Sequence, residues 1–316
     1  MCPWHMTDRG HSQAVISGRA KGEGIYGMDH WPDATKHPLR CPPMPFADAN
    51  GMSLYYEEHG DGEPLVCVMG LAADHLAWAL QIESFASRHR TIVFDNRDVV
   101  QSAYADAPYE ITDMAADVLG LADALGLDTF HLLGASLGGA VAQHVALAAP
   151  ERVRTLQLAV TWAGSGAYAR EKTRLWASER RLRSREDWLD SLLLATVSEE
   201  FYENQPMVDF VKQVMRSNEH PQEPDGFERQ SDASSRFDLR GRLAGLAMPV
   251  HVISGEHDVL LPQWKQAELA AEIPGAQLTV IERGSHALQL EFPQEFNAAV
   301  LDFIASHAET VASPSV

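Results

Sequence analysis

The chain of 316 residues is short of cysteine, of long apolar runs and of positive charge, and each shortage removes a class of protein. Its three cysteines, Cys2, Cys41 and Cys67, form an odd set without metal-ligand spacing, which argues against a disulfide framework and against a zinc site. Cys67 lies in a strand-like run, where a buried free thiol is expected. No window approaches the ~20 consecutive apolar residues of a membrane-spanning helix. The N-terminus lacks a basic patch followed by an apolar block and a small-residue cleavage site. The expectation is a soluble protein of a reducing cytoplasm, with no membrane partner. Lys and Arg number 25 against 44 Asp and Glu, a formal net charge of −19. That field opposes the phosphate contacts on which nucleic-acid binding rests, so no nucleic-acid partner is expected. No His, Cys and carboxylate cluster has metal spacing and no glycine-rich phosphate loop occurs, so neither a metal nor another cofactor is expected.

What is present is an apolar content of 45%, enough for a sizeable core, arranged in alternating strand-like and helical segments. Asn50-Gly51, between Pro45-Phe-Ala-Asp and Met52-Ser-Leu-Tyr-Tyr56, is a two-residue hairpin signal. Leu65–Met69 and Thr91–Asp95 are short apolar runs of the kind found in a sheet covered on both faces. Between Thr112 and Gly126, Ala115, Val118, Leu119, Ala122 and Leu125 recur at helical spacing, with Gly126 as the stop. Arg154–Val160 supplies a further strand, after which the alternation gives way to charged, Leu- and Trp-rich helical sequence up to about Arg240. The pattern predicts an α/β fold, a doubly wound and mostly parallel sheet with an inserted helical cap. The expected organisation is a flexible extension over 1–43, dispensable in a chain starting at Met44, then core over 44–162, cap over 163–240, core again over 241–308 and a tail over 309–316. The basic run Arg170, Lys172, Arg174, Arg180, Arg181, Arg183 and Arg185 reads as the solvated face of a cap helix, interleaved with Glu171 and Glu179.

The chemistry concentrates in Thr129-Phe-His-Leu-Leu-Gly-Ala-Ser-Leu-Gly-Gly139, an apolar run that breaks into Gly134-x-Ser136-x-Gly138 and continues as an Ala-rich helix. A serine in such a strand-to-helix elbow has an exposed hydroxyl beside the free N–H groups of the helix's first turn. Serine near its ordinary pKa is a poor nucleophile, so it needs an adjacent base, and the base needs an orienting carboxylate. Asp258 falls just past the strand-like Val250-His-Val-Ile-Ser-Gly255, and His286 just past Leu278-Thr-Val-Ile-Glu282. Of fourteen histidines, His286 is the one in a loop after the last strand, whereas His131, His144 and His251 lie within elements and His257 lies beside the acid.

With its first hairpin, its elbow, its acid turn and Gly284-Ser-His286 followed by Glu291-Phe-Pro293-x-x-Phe296, the chain resembles the α/β-hydrolase superfamily from about Met44 to His307. Met69–Trp78 and Phe94–Ser102 resemble the bacterial aclacinomycin methylesterase-like branch. Met69-Gly70 stands where many members have His-Gly, and Val100 where the branch carries glycine. Because a β-branched residue is unfavourable at positive φ, the loop after Asp98 is expected to take a different course.

The resemblance and the residues imply Ser136 as nucleophile, His286 as general base and Asp258 as its orienting acid. Backbone N–H groups of Leu71 and Leu137 would form the oxyanion hole. Trp162 is a pocket wall or a packed hinge aromatic, and Asp95–Asp98 form a charged network fixing their loop. The implied activity is hydrolysis of a small to medium, largely apolar carboxylic ester through an acyl-enzyme. A lactonase, a carbon–carbon bond hydrolase, a cofactor-free haloperoxidase or perhydrolase and a low-turnover ligand receptor would use the same residues.

Overall fold

The computed structural model of the chain describes residues 46–307, so the extension and the tail expected at 1–43 and 309–316 lie outside them. Strands β1 (Phe46–Ala49) and β2 (Met52–His59) form a hairpin in which Ala49 pairs with Met52 across Asn50-Gly51. Both turn residues have positive φ, +53° and +75°, which suits asparagine followed by glycine. The remaining strands are β3 (Glu63–Val68), β4 (His89–Phe94), β5 (Phe130–Ala135), β6 (Val153–Ala159), β7 (Val250–Gly255) and β8 (Gln277–Ile281). They build an eight-stranded sheet in the order β1-β2-β4-β3-β5-β6-β7-β8. Only β2 runs against the others, antiparallel to its neighbours β1 and β4, and β3 to β8 are parallel.

Successive strand residues face opposite sides, so a sheet covered on both needs apolar residues at every position. Val66 and Val68 point into one core with Leu132, Leu158 and Val252, covered by helices α2 (Ile111–Ala124), α3 (Leu137–Ala148) and α9 (Gln263–Glu272). Leu65 and Cys67 point into the other with Val93, Leu133 and Ile253, covered by α1 (Ala79–Ala86) and α11 (Pro293–His307). Cys67 is a buried free thiol whose pKa is pushed up by burial.

Between β6 and β7 five helices are inserted: α4 (Ala167–Leu182), α5 (Arg185–Thr196), α6 (Glu199–Glu203), α7 (Gln205–Ser217) and α8 (Pro224–Arg236). A short α10 (Leu288–Glu291) precedes α11. Ala177, Trp188 and Phe227 of the insertion make a small apolar cluster that packs on Leu71 and Ala72, in the loop after β3. The insertion is thereby seated on the end of the sheet where the strands finish. Several of the basic residues on α4 are tied to acids at its surface, as in Arg174–Glu171 and in Arg181 with Asp225 and Glu228. No described helix is long and apolar enough to cross a membrane, and no group of three or more His, Cys, Asp or Glu among the described residues could hold a metal ion.

Candidate active site

Ser136 closes β5 and opens α3 with φ +53° and ψ −120°, a conformation that a non-glycine residue holds only when its surroundings enforce it. The surroundings here are tight. A Cβ on Gly138 would come within 2.0 Å of the Val68 carbonyl oxygen, and one on Gly134 within 2.3 Å of the Gly138 carbonyl oxygen. The two glycines therefore let α3 start directly against β3 and β5. Ser136 N–H donates to the Ala159 carbonyl at 2.9 Å, and its own carbonyl accepts from the Thr161 hydroxyl at 2.7 Å. Thr161 is in turn fixed through its carbonyl by the buried Gln266 amide at 3.0 Å.

The loops after β7 and β8 converge on that serine. His286 Nε2 lies 3.0 Å from Ser136 Oγ, and His286 Nδ1 lies 2.8 Å from Asp258 Oδ2. The other oxygen of Asp258 accepts from the N–H groups of Leu260 and Leu261 at 2.9 and 2.8 Å, so both sides of a fully buried carboxylate are engaged. A carboxylate held in this way keeps the Nδ1 proton on the imidazole and leaves Nε2 free to accept one from the serine. Residues 136, 258 and 286 are thus brought together in one hydrogen-bonded line.

The loop bearing Leu71 runs beside the same serine, because a Cβ on Gly70 would meet Ser136 Cβ at 3.0 Å. It is pinned from below by Asn96, whose side-chain amide donates to the Met69 carbonyl at 2.9 Å. Leu137 opens α3 directly after Ser136 and is buried. Trp162 is buried against Phe237, with its indole N–H bonded to Ser165 Oγ at 3.0 Å.

Asp95 to Asp98 are all buried, and their side chains pair with residues outside this run, not with Ser136 or His286. Asp95 accepts from His75 Nδ1 at 2.7 Å, Arg97 grips Asp117 at 2.6 Å, and Asp98 accepts both 2.8 and 2.7 Å bonds from Arg229 of α8. The backbone of this loop departs from expectation. Val100 adopts φ +44° and Asp98 +64°, so the β-branched side chain does not steer the chain away from the left-handed region. Asp98 and Arg229, with the bond from Gln222 to the Asp98 carbonyl, hold the turn from outside and override the local preference. Sequence reasoning passed over Thr161, whose role depends on which strand ends are neighbours. The signal available was only its place two residues after β6.

A mostly parallel eight-stranded sheet flanked by helices, with a glycine-framed serine at the elbow after β5, is the arrangement of the α/β hydrolases. A family model described as alpha/beta hydrolase fold matches residues 63–293, and the chain belongs to that family. A protein of Azorhizobium caulinodans that bears the name carbamate hydrolase RutD is 31% identical over 272 residues, covering 82% of this chain and 98% of its own. Among solved structures, the enol-lactonase from Burkholderia xenovorans LB400 has a TM-score of 0.77 at 27% identity, over 83% of this chain and 100% of that one. Est816, described as an enzyme degrading N-acyl homoserine lactones, has a TM-score of 0.68 at 28% identity, over 82% and 100% of the two chains.

Proposed function

We propose that the chain is a serine hydrolase that cleaves a small to medium, largely apolar carboxylic ester through an acyl-enzyme. The observation that carries this reading is the line Ser136 Oγ, His286 Nε2, His286 Nδ1 and Asp258 Oδ2, with separations of 3.0 and 2.8 Å at its two hydrogen bonds. His286 takes the proton of Ser136 as Oγ attacks the ester carbonyl carbon. Backbone N–H groups of Leu71 and Leu137 hold the resulting oxyanion, a contribution of about 3 kcal/mol for each donor. Collapse expels the alkoxide, which leaves with the proton from His286, and the acyl group stays on Ser136. Water, deprotonated by the same imidazole, then releases the acid and restores the serine. Helices α4 to α8 act as the cap of the 163–240 segment, excluding bulk solvent from the reaction and limiting substrate size.

A cyclic ester is the second reading, and the likeness to the enol-lactonase and to Est816 favours it. The chemistry is the same except that the expelled alkoxide stays tethered to the acyl group, so water must intercept the acyl-enzyme before the ring recloses. The name of the A. caulinodans relative adds carbamates to the substrates worth testing, and the methylesterase-like resemblance adds methyl esters. The test is a turnover screen of p-nitrophenyl esters of graded length, methyl esters, lactones and carbamates, run beside Ser136→Ala. We expect sustained hydrolysis of at least one ester or lactone by the wild type, loss of it in the variant, and labelling of the wild type alone by an organophosphonate. Peracid formation from acetate and peroxide without ester turnover would favour a perhydrolase instead, and near-normal turnover by Ser136→Ala would remove the serine from the mechanism.

A further inference from the structure

The motif Glu291-Phe-Pro293 follows the histidine loop, and the mechanism above gives it no task. Glu291 ends the short α10 and is only 3% exposed. Its Oε1 accepts from the Ser198 N–H at 2.7 Å and from the Ser285 hydroxyl, and its Oε2 accepts from the Ser198 hydroxyl at 2.7 Å. Each hydrogen-bond partner is a donor, which suits a carboxylate, although burial pushes its pKa up and the charge of Glu200 adds to the rise. Among the described residues it has no Lys or Arg partner.

The geography of those donors is the point. Ser285 immediately precedes His286. Ser198 lies at the junction of α5 and α6, where its hydroxyl also caps α6 by accepting from the Phe201 N–H at 3.1 Å. The residue on the other flank, Ala287, donates its N–H to the Thr196 carbonyl at 2.9 Å, and Ser285 Oγ lies 2.8 Å from the same oxygen. Both neighbours of His286 are therefore tied to the three-residue junction Thr196–Ser198 of the inserted helices. A buried carboxylate is a costly way to fill this space, since an apolar side chain would need no donors at all. What it provides in return is direction, because three hydrogen bonds fix where Ser285 and Ser198 stand relative to each other.

We propose that Glu291 is a positioning residue, clamping Ser285 to Ser198 so that the alignment of His286 between Ser136 and Asp258 depends on the α5–α6 junction being seated. The proposal rests on the serine-hydrolase reading. It assigns to the insertion a part in holding the base as well as in covering the substrate. Displacement of a general base by a fraction of an ångström slows proton transfer more than it weakens substrate binding.

The experiment compares Glu291→Ala, Glu291→Gln, Ser198→Ala and Ser285→Ala in the full chain, with active sites counted by phosphonate titration. Glu291→Ala should lose about 10²-fold in kcat per titrated site with KM within about threefold of wild type, because orientation and not binding is removed. Glu291→Gln retains an oxygen for the Ser198 N–H and a donor for the Ser198 hydroxyl, and should recover to within about tenfold of wild type. Each serine variant should show a smaller loss of the same kind. If kcat per site is unchanged while only the fraction of folded protein falls, Glu291 is structural and the proposal is overturned. Should Glu291→Ala fail to fold, the serine variants decide, and wild-type kcat in both would overturn it. A readout independent of turnover is the downfield proton resonance of His286 Nδ1–H. Its shift or broadening in Glu291→Ala is expected even if no ester proves to be a substrate, and an unchanged resonance would count against the clamp.

Discussion

At the scale of single residues, the site is built from side chains held in conformations that they would not choose. Ser136 sits at φ +53° because Gly134 and Gly138 let three backbones approach, and the strain leaves Oγ facing His286. If the proposed mechanism holds, removing the base or its orienting acid should be severe. His286→Ala should lower turnover by about 10⁴- to 10⁶-fold, and Asp258→Asn by about 10⁴-fold because asparagine favours the wrong tautomer of the imidazole. Asp95→Asn and Asp98→Asn should cost far less. Steady-state kinetics on the substrate found in the ester screen checks all four, and a larger loss at Asp95 or Asp98 would give that loop a direct role. Val100 carries strain of another sort, a β-branched residue at φ +44° with a side chain only partly buried. Val100→Gly should therefore stabilise the protein by about 1 kcal/mol, the relief of a disfavoured conformation exceeding the added freedom of the unfolded chain. Urea unfolding measures it, and a loss of stability would mean that the side chain's packing outweighs the strain.

Between elements, the insertion is joined to the core by charge as well as by apolar contact. Asp98 is fully buried, and both its oxygens receive the guanidinium of Arg229 from α8. An ion pair of this kind adds little over an apolar replacement of the whole pair, yet deleting one partner strands the other. Arg229→Met should accordingly destabilise by about 3 kcal/mol, and combining it with Asp98→Asn should recover part of that loss. Chemical denaturation of the two variants decides the matter. Equal losses in the single and double variants would show that the charge on Asp98 is not what the arginine answers.

For the molecule as a whole, one source of acid sensitivity is histidine folded into the sheet in the neutral form. His251 is fully buried in β7, stacked on Phe303 at 4.7 Å, and burial pushes its pKa down from 6.5 to about 4. Between those values the unfolded chain binds a proton that the folded chain does not, so stability rises with pH across the interval. The contribution is fully present above the unfolded pKa and is lost as pH falls through the folded one, at most about 3 kcal/mol. His131 in β5, also held down to about 4 by burial, acts in the same direction. Urea unfolding at about pH 7.5 and about pH 5 should show a clear fall for the wild type and a smaller one for His251→Gln, which keeps a partner for Thr279 but does not titrate. An identical fall in both would exclude His251 as a source.

The elbow was legible in the sequence because its requirements are local: two glycines and a serine at fixed spacing, an apolar strand before and an Ala-rich helix after. The alternation of strands and helices was legible for the same reason, since a sheet covered on both faces demands short apolar runs whatever lies beside them. Asp258 and His286 could be named because each falls just past a strand end, and parallel strands finish on one side of the sheet. What joins distant segments was decided only by the tertiary structure. Glu291 meets Ser198 across 93 residues and Asp98 meets Arg229 across 131, pairings that no periodicity encodes. Val100 shows the same limit in reverse, for its local preference against positive φ was sound and was overruled by an ion pair formed from the far side of the insertion.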